Sequence, residues 1–121
     1  MISVKWDLKE MDIEKLEVLK TVPRDKAFYF FTSIGNYTGK SAASLEEFLQ
    51  MVRDVNVKSL EFHLYRGDFE KWLNEVFGVQ ELAEELKKLR TSNLFGEQLR
   101  SCIYSVVESY LKRLKEHGAQ H

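Results

Sequence analysis

The sequence predicts a mainly α fold, a compact bundle of four or five helices that leaves room for a short two-stranded β element at the N-terminal end. Three observations lead there. The 121 residues hold one proline and six glycines, too few turn formers for a strand-rich sandwich. Apolar residues recur at steps of three and four through most of the second half of the chain, which is the helical period. Strand-like patterning without a competing helical reading is confined to two short stretches near the start, 2–8 and 27–33.

Taken in order, residues 2–8 (ISVKWDL) alternate, with Ile2, Val4, Trp6 and Leu8 on one face, as in a half-buried strand. Ile13, Leu16 and Leu19 then suit a short helix over 12–20, capped by Asp12 and ended before Pro23. Residues 27–33 (AFYFFTS) are aromatic and β-favouring, a second strand able to pair with the first. Gly35, Asn36 and Gly39 mark SIGNYTGKSAA as a loop. Ser44 sits three before Glu47, a capping box, and the helix it opens shows Leu45, Phe48, Leu49 and Val52 on one face. Residues 60–65 alternate like a strand, yet Ser59 is a fitting N-cap. Helix is the preferred reading and strand stays open. From Asp68 the stripe Phe69, Trp72, Leu73, Val76 and Phe77 is helical and stops at Gly78. Val79, Leu82, Ala83, Leu86 and Leu89 form the next stripe. The last helix, over 97–116, carries Leu99, Cys102, Ile103, Val106, Val107, Tyr110, Leu111 and Leu114. Its stripe is wide enough to face an internal core, and a helical homodimer remains a credible second use of it. One globular domain over 1–118 is expected, with a frayed tail over 119–121.

Composition excludes several functions. Net charge is −1, with 18 basic and 19 acidic residues spread evenly along the chain. Nucleic-acid binders carry a basic surplus that neutralises phosphate, so nucleic acid is not the expected partner. Cys102 stands alone, so no internal disulfide forms and a reducing compartment is expected. No apolar run approaches the roughly 18 residues of a membrane span, and the first residues lack the apolar core of a signal peptide. The expected setting is the cytoplasm. Abundant Lys and Glu suit a thermophile.

The run AFYFFTSIGNYTGKSAASLEEF, then SLEFHLYRGDFEKWL, then ELAEELKKL resembles a family of small domains best known from archaea and described only as of unknown function. The likeness covers about Ala27 to Leu114, and the block from Ser59 to Trp72 is its most specific part. The resemblance implies a compact, mainly helical module. It implies no activity, cofactor or catalytic residue.

Two places invite a chemical reading. Gly35-Asn-Tyr-Thr-Gly39-Lys40-Ser41 is one residue short of a phosphate-binding loop. A glycine turn is the preferred reading. The alternative is a weaker anion site made of Gly39, Lys40 and Ser41. The second place is the corner His63, Arg66, Gly67 and Asp68. Gly67 permits a sharp turn, Asp68 is expected to cap the following helix, and Arg66 to hold a carboxylate. His63 is the only interior histidine, and a structural role with a ring nitrogen on a carboxylate or backbone group is preferred over a general base paired with Asp68 or Glu70. Glu61, His63 and Asp68 make too sparse a set for a metal. Cys102, on the apolar stripe, reads as a buried inert thiol. Trp72, Phe69 and Phe77 read as core, and Trp6, Tyr29 and Tyr37 as candidates for an exposed partner surface.

No complete catalytic set, cofactor motif or metal set emerges. The leading expectation is a non-enzymatic module for protein interaction or self-association. The alternative is a domain for a small anion or phosphometabolite, with Gly39, Lys40, Ser41, His63, Arg66 and Asp68 as its binding residues.

Overall fold

A computed structural model describes residues 18–119. The strand expected over 2–8, most of the helix expected over 12–20, and Trp6 lie outside the described residues. Within them the fold is a two-stranded antiparallel sheet against five helices: β1 Phe28–Ser33, β2 Asn36–Ala42, α1 Leu45–Asp54, α2 Val57–Arg66, α3 Asp68–Trp72, α4 Gln80–Leu89 and α5 Gly96–Ala119. The mainly helical bundle with a small β element is therefore present. The last helix continues through Gly118 to Ala119.

The hairpin partner of β1 is the stretch read from sequence as a loop. Asn36–Ala42 carries only one buried residue, Ala42, so it lacks the apolar alternation that identifies a strand. Its irregularity has a physical cause. Tyr29 pairs with Ser41 and Phe31 with Tyr37, so two steps on β1 face four on β2. The extra residues form a bulge at Gly39, whose φ is +85°, a conformation natural to glycine. Thr38 closes the bulge, its hydroxyl donating to the Phe30 carbonyl at 2.7 Å and accepting from the Lys40 amide at 3.1 Å. Gly35, at φ +79°, makes the turn at the hairpin tip.

The core is rich in aromatic rings. Phe28 and Phe30 from β1 meet Phe48 of α1 and Phe69 and Trp72 of α3, with neighbouring centroids 4.8–6.2 Å apart, the spacing of edge and tilted aromatic pairs. Trp72 satisfies its indole N–H on the Lys26 carbonyl at 2.7 Å. Leu99, Ile103, Val107 and Leu111 bury one stripe of α5, while Cys102 is only half-buried.

The helix ends are held by specific side chains. Ser44 accepts the Glu47 amide at 3.1 Å as its capping box predicts, and the Glu47 carboxylate reaches back to the amide of Ala43 at 2.8 Å. The Arg100 guanidinium of α5 donates to the carbonyls of Val52, Arg53 and Val55 at 2.8–2.9 Å, where α1 ends and its dipole is negative. Glu61 of α2 accepts the Gly96 amide at 2.7 Å, at the positive end of α5.

Residues 60–65 are helical, and the cap of α2 is Asn56, whose side chain accepts the Lys58 amide at 2.9 Å. Ser59, expected as the cap, is fully buried inside the helix and its hydroxyl has no partner among the described residues. An unpaired buried hydroxyl is a desolvation cost. Ser59→Ala is therefore expected to leave stability unchanged or raise it by up to about 1 kcal/mol, read as the urea midpoint.

Candidate functional site

Gly67 produces the corner between α2 and α3. Its φ is +80°, and a Cβ there would lie 3.1 Å from both Arg90 Nη1 and Glu70 Oε1, side chains that are ion-paired through Arg90 Nη2 at 3.0 Å. The tight turn brings Asp68 back onto His63. Asp68 makes no cap bond to its own helix, contrary to the sequence expectation, because its carboxylate accepts from His63 instead.

His63 is 4% exposed, and both of its ring nitrogens are engaged. Nδ1 lies 2.8 Å from Asp68 Oδ2, and Nε2 accepts the backbone N–H of Phe31 at 2.8 Å. An amide can only donate, so Nε2 is bare and Nδ1 carries the proton. The ring is the neutral Nδ1–H tautomer. It ties β1 to α2 and α3, packed edge-on to Phe28 at 4.7 Å and Phe62 at 4.9 Å. With neither nitrogen open, His63 acts as a clamp between the hairpin and the helices.

Burial lowers the His63 pKa from its ordinary value of 6.5, against the opposing pull of the Asp68 carboxylate and with a small further push from Arg66. The unfolded chain therefore takes up a proton near pH 6.5 while the native state resists it. This contribution to stability is complete above 6.5 and is lost as the pH falls from there toward the lower native value. Denaturant midpoints between pH 8 and pH 5 are expected to fall on the acid side, with this group adding a slope of up to about 1.4 kcal/mol per pH unit. In His63→Gln that component should vanish.

Above the clamp lies a groove of about 450 Å³ between the hairpin and α2, lined by Phe31, Ser33, Ile34, Gly35, Phe62 and Arg66, with Phe28, Tyr29, His63 and Asp68 completing it. Phe31 and Tyr37 lie 5.3 Å apart and Tyr37 and Tyr29 5.9 Å apart on the outer hairpin face. Tyr29 is 38%, Tyr37 47% and Ile34 87% exposed. Arg66 lies 4.7 Å over the Phe62 ring and approaches Asp68 Oδ2 with its Nε at 3.4 Å, so it does hold a carboxylate as the sequence suggested.

The structure thus gathers His63, Arg66 and Asp68 in one groove. Gly39, Lys40 and Ser41 sit on the bulged strand and do not line it. They also stand apart from the N-terminus of α1, which begins after Ser44. Glu61 is engaged at Gly96, and among the described residues no three His, Cys, Asp or Glu side chains gather as a metal site requires. Sequence reasoning missed Phe31 and Phe62 as groove walls. Phe62 carried one signal, its place one residue before His63 and four before Arg66 on a helix, which sets its ring beneath the guanidinium.

Residues 7–108 match the model of a family of unknown function, DUF5752. No curated protein and no solved structure matches the chain.

Proposed function

We propose that this chain, which belongs to the DUF5752 family of unknown function, is a non-enzymatic interaction module that docks an apolar group of a protein partner in the groove between the hairpin and α2. One observation carries the reading: Tyr29 and Ile34 stand exposed on a groove walled by Phe31 and Phe62, and exposed Tyr37 packs 5.3 Å from Phe31 beside it. Aromatic residues and arginine dominate the binding energy of protein interfaces, and here they surround a concavity set on a clamped support. The edge of β2 is a poorer docking element, since a bulge and Lys40 interrupt it. Among the described residues no helix is long and apolar enough to cross a membrane.

A small anionic ligand is the second reading, favoured by the Arg66 guanidinium on the groove. A thermal-shift panel of phosphosugars, nucleotides and simple anions tests it, with Arg66→Gln as the variant that should abolish any shift.

The docking reading is tested with a photoreactive benzoylphenylalanine at Tyr37 and, as control, at Glu84 on the exposed face of α4. Irradiation in the native host should yield one discrete adduct at Tyr37 and none at Glu84. The adduct should re-form with the purified partner and be lost in Phe62→Ser. An adduct with a second copy would make the function self-association. Monomer alone at both positions refutes the docking reading.

A further inference from the structure

We infer that the groove recognises the C-terminal residue of a partner chain, with an apolar side chain between Phe31 and Phe62 and the terminal carboxylate on Arg66. The inference rests on the docking reading above and adds the chemistry of the docked group.

Arg66 rests on one ring and pairs with one carboxylate, and its outer N–H groups make no hydrogen bond among the described residues. Phe62 supports the guanidinium plane at 4.7 Å, and Asp68 is approached through Nε at 3.4 Å. The side chain is 49% exposed, and among the described residues it makes no hydrogen bond. Among the described residues the outer edge, formed by Nη1 and Nη2, therefore has no hydrogen-bond acceptor. An arginine held in this manner is a preorganised fork for a carboxylate.

The charges in the groove set what must accompany that carboxylate. Arg66 is offset by Asp68, and His63 is neutral, so the described residues lining the groove carry no surplus positive charge. A bare anion gains less from the groove than an anion joined to an apolar group. Affinity requires apolar burial against Phe31, Phe62 and Ile34 in the same event. The cavity is at the small end of the ligand-site range of about 300–1,000 Å³, so it suits the last residue of a chain better than a long helix. Guanidinium and aromatic walls line one small space, so carboxylate and apolar group must lie within one residue, as they do at a C-terminus.

The test uses the full chain and nitrogen-15 amide spectra with four probes: N-acetyl-phenylalanine, its amide, acetate, and an acetylated glutamyl-phenylalaninamide. N-acetyl-phenylalanine at millimolar concentration should shift the Phe31 and Gly35 amides. The amide and the glutamyl compound should bind at least about tenfold more weakly, and acetate should not bind. Arg66→Gln should remove the difference between acid and amide while leaving the weak amide binding intact. Equal binding of acid and amide overturns the carboxylate assignment while the docking reading stands. Equal binding of the glutamyl compound overturns the C-terminal assignment. No binding by any probe overturns the inference, and the Tyr37 crosslink then decides the docking reading separately.

Discussion

His63→Ala is expected to lower the stability of the fold by about 4 kcal/mol, the sum of a buried amide left without its acceptor and a cavity among packed rings. The Phe31 N–H donates to Nε2 at 2.8 Å and would lose that partner where water has little access. Asp68 would lose the N–H that turns its carboxylate inward. Phe28, Phe62 and Phe69, whose centroids lie 4.7–5.7 Å from the imidazole, would face empty volume. Against a total of about 5–15 kcal/mol for a domain of this kind, the loss is large. The amide variants divide the effect. Asparagine places its NH₂ near Nδ1 and keeps the bond to Asp68, while glutamine places its oxygen near Nε2 and keeps the Phe31 bond. Each should recover part of the loss. Urea midpoints for the three variants measure this directly, and an alanine variant within about 1 kcal/mol of the parent would remove His63 from its role as the clamp.

Arg100→Ala is expected to cost about 2–3 kcal/mol, because three carbonyls at the end of α1 lose a charged donor at once. The side chain is 19% exposed, so water replaces it poorly, and the bonds to Val52, Arg53 and Val55 run between helices far apart in sequence. Lysine carries the charge without the fork and should recover less than half. Arg113→Ala is the matched control. Its pair with Glu81 at 3.3 Å has both side chains more than half exposed, and such pairs contribute about 0–1 kcal/mol. Equal losses at Arg100 and Arg113 would show that the cap does not act as described.

These two residues also mark how far the sequence could be read. The helices were legible because Phe69, Trp72, Leu99, Ile103 and their neighbours are buried at helical spacing. β2 was not, because its stability comes from backbone pairing and a glycine bulge and only Ala42 is buried. The corner at His63, Arg66 and Asp68 was legible as a place where polar groups meet, since a glycine between two apolar runs forces them together. The partner of Asp68 was not, because a residue at a helix start is equally able to cap the helix or to turn back. Arg100 left no local signal, since all three of its carbonyls come from another helix. The groove walls Phe31 and Phe62 belong to different elements and meet only once the hairpin is clamped.

Central to this account is His63 as a neutral clamp that shapes the groove, and long-range nitrogen-15 spectra of its ring at pH 7 test it most directly. A proton on Nδ1, none on Nε2, and protonation of the ring only below the ordinary value of 6.5 are expected. A proton on Nε2, or a ring that charges at or above that value, would contradict it, for Phe31 could then not be bonded to the ring and the hairpin would not be held where the groove requires it.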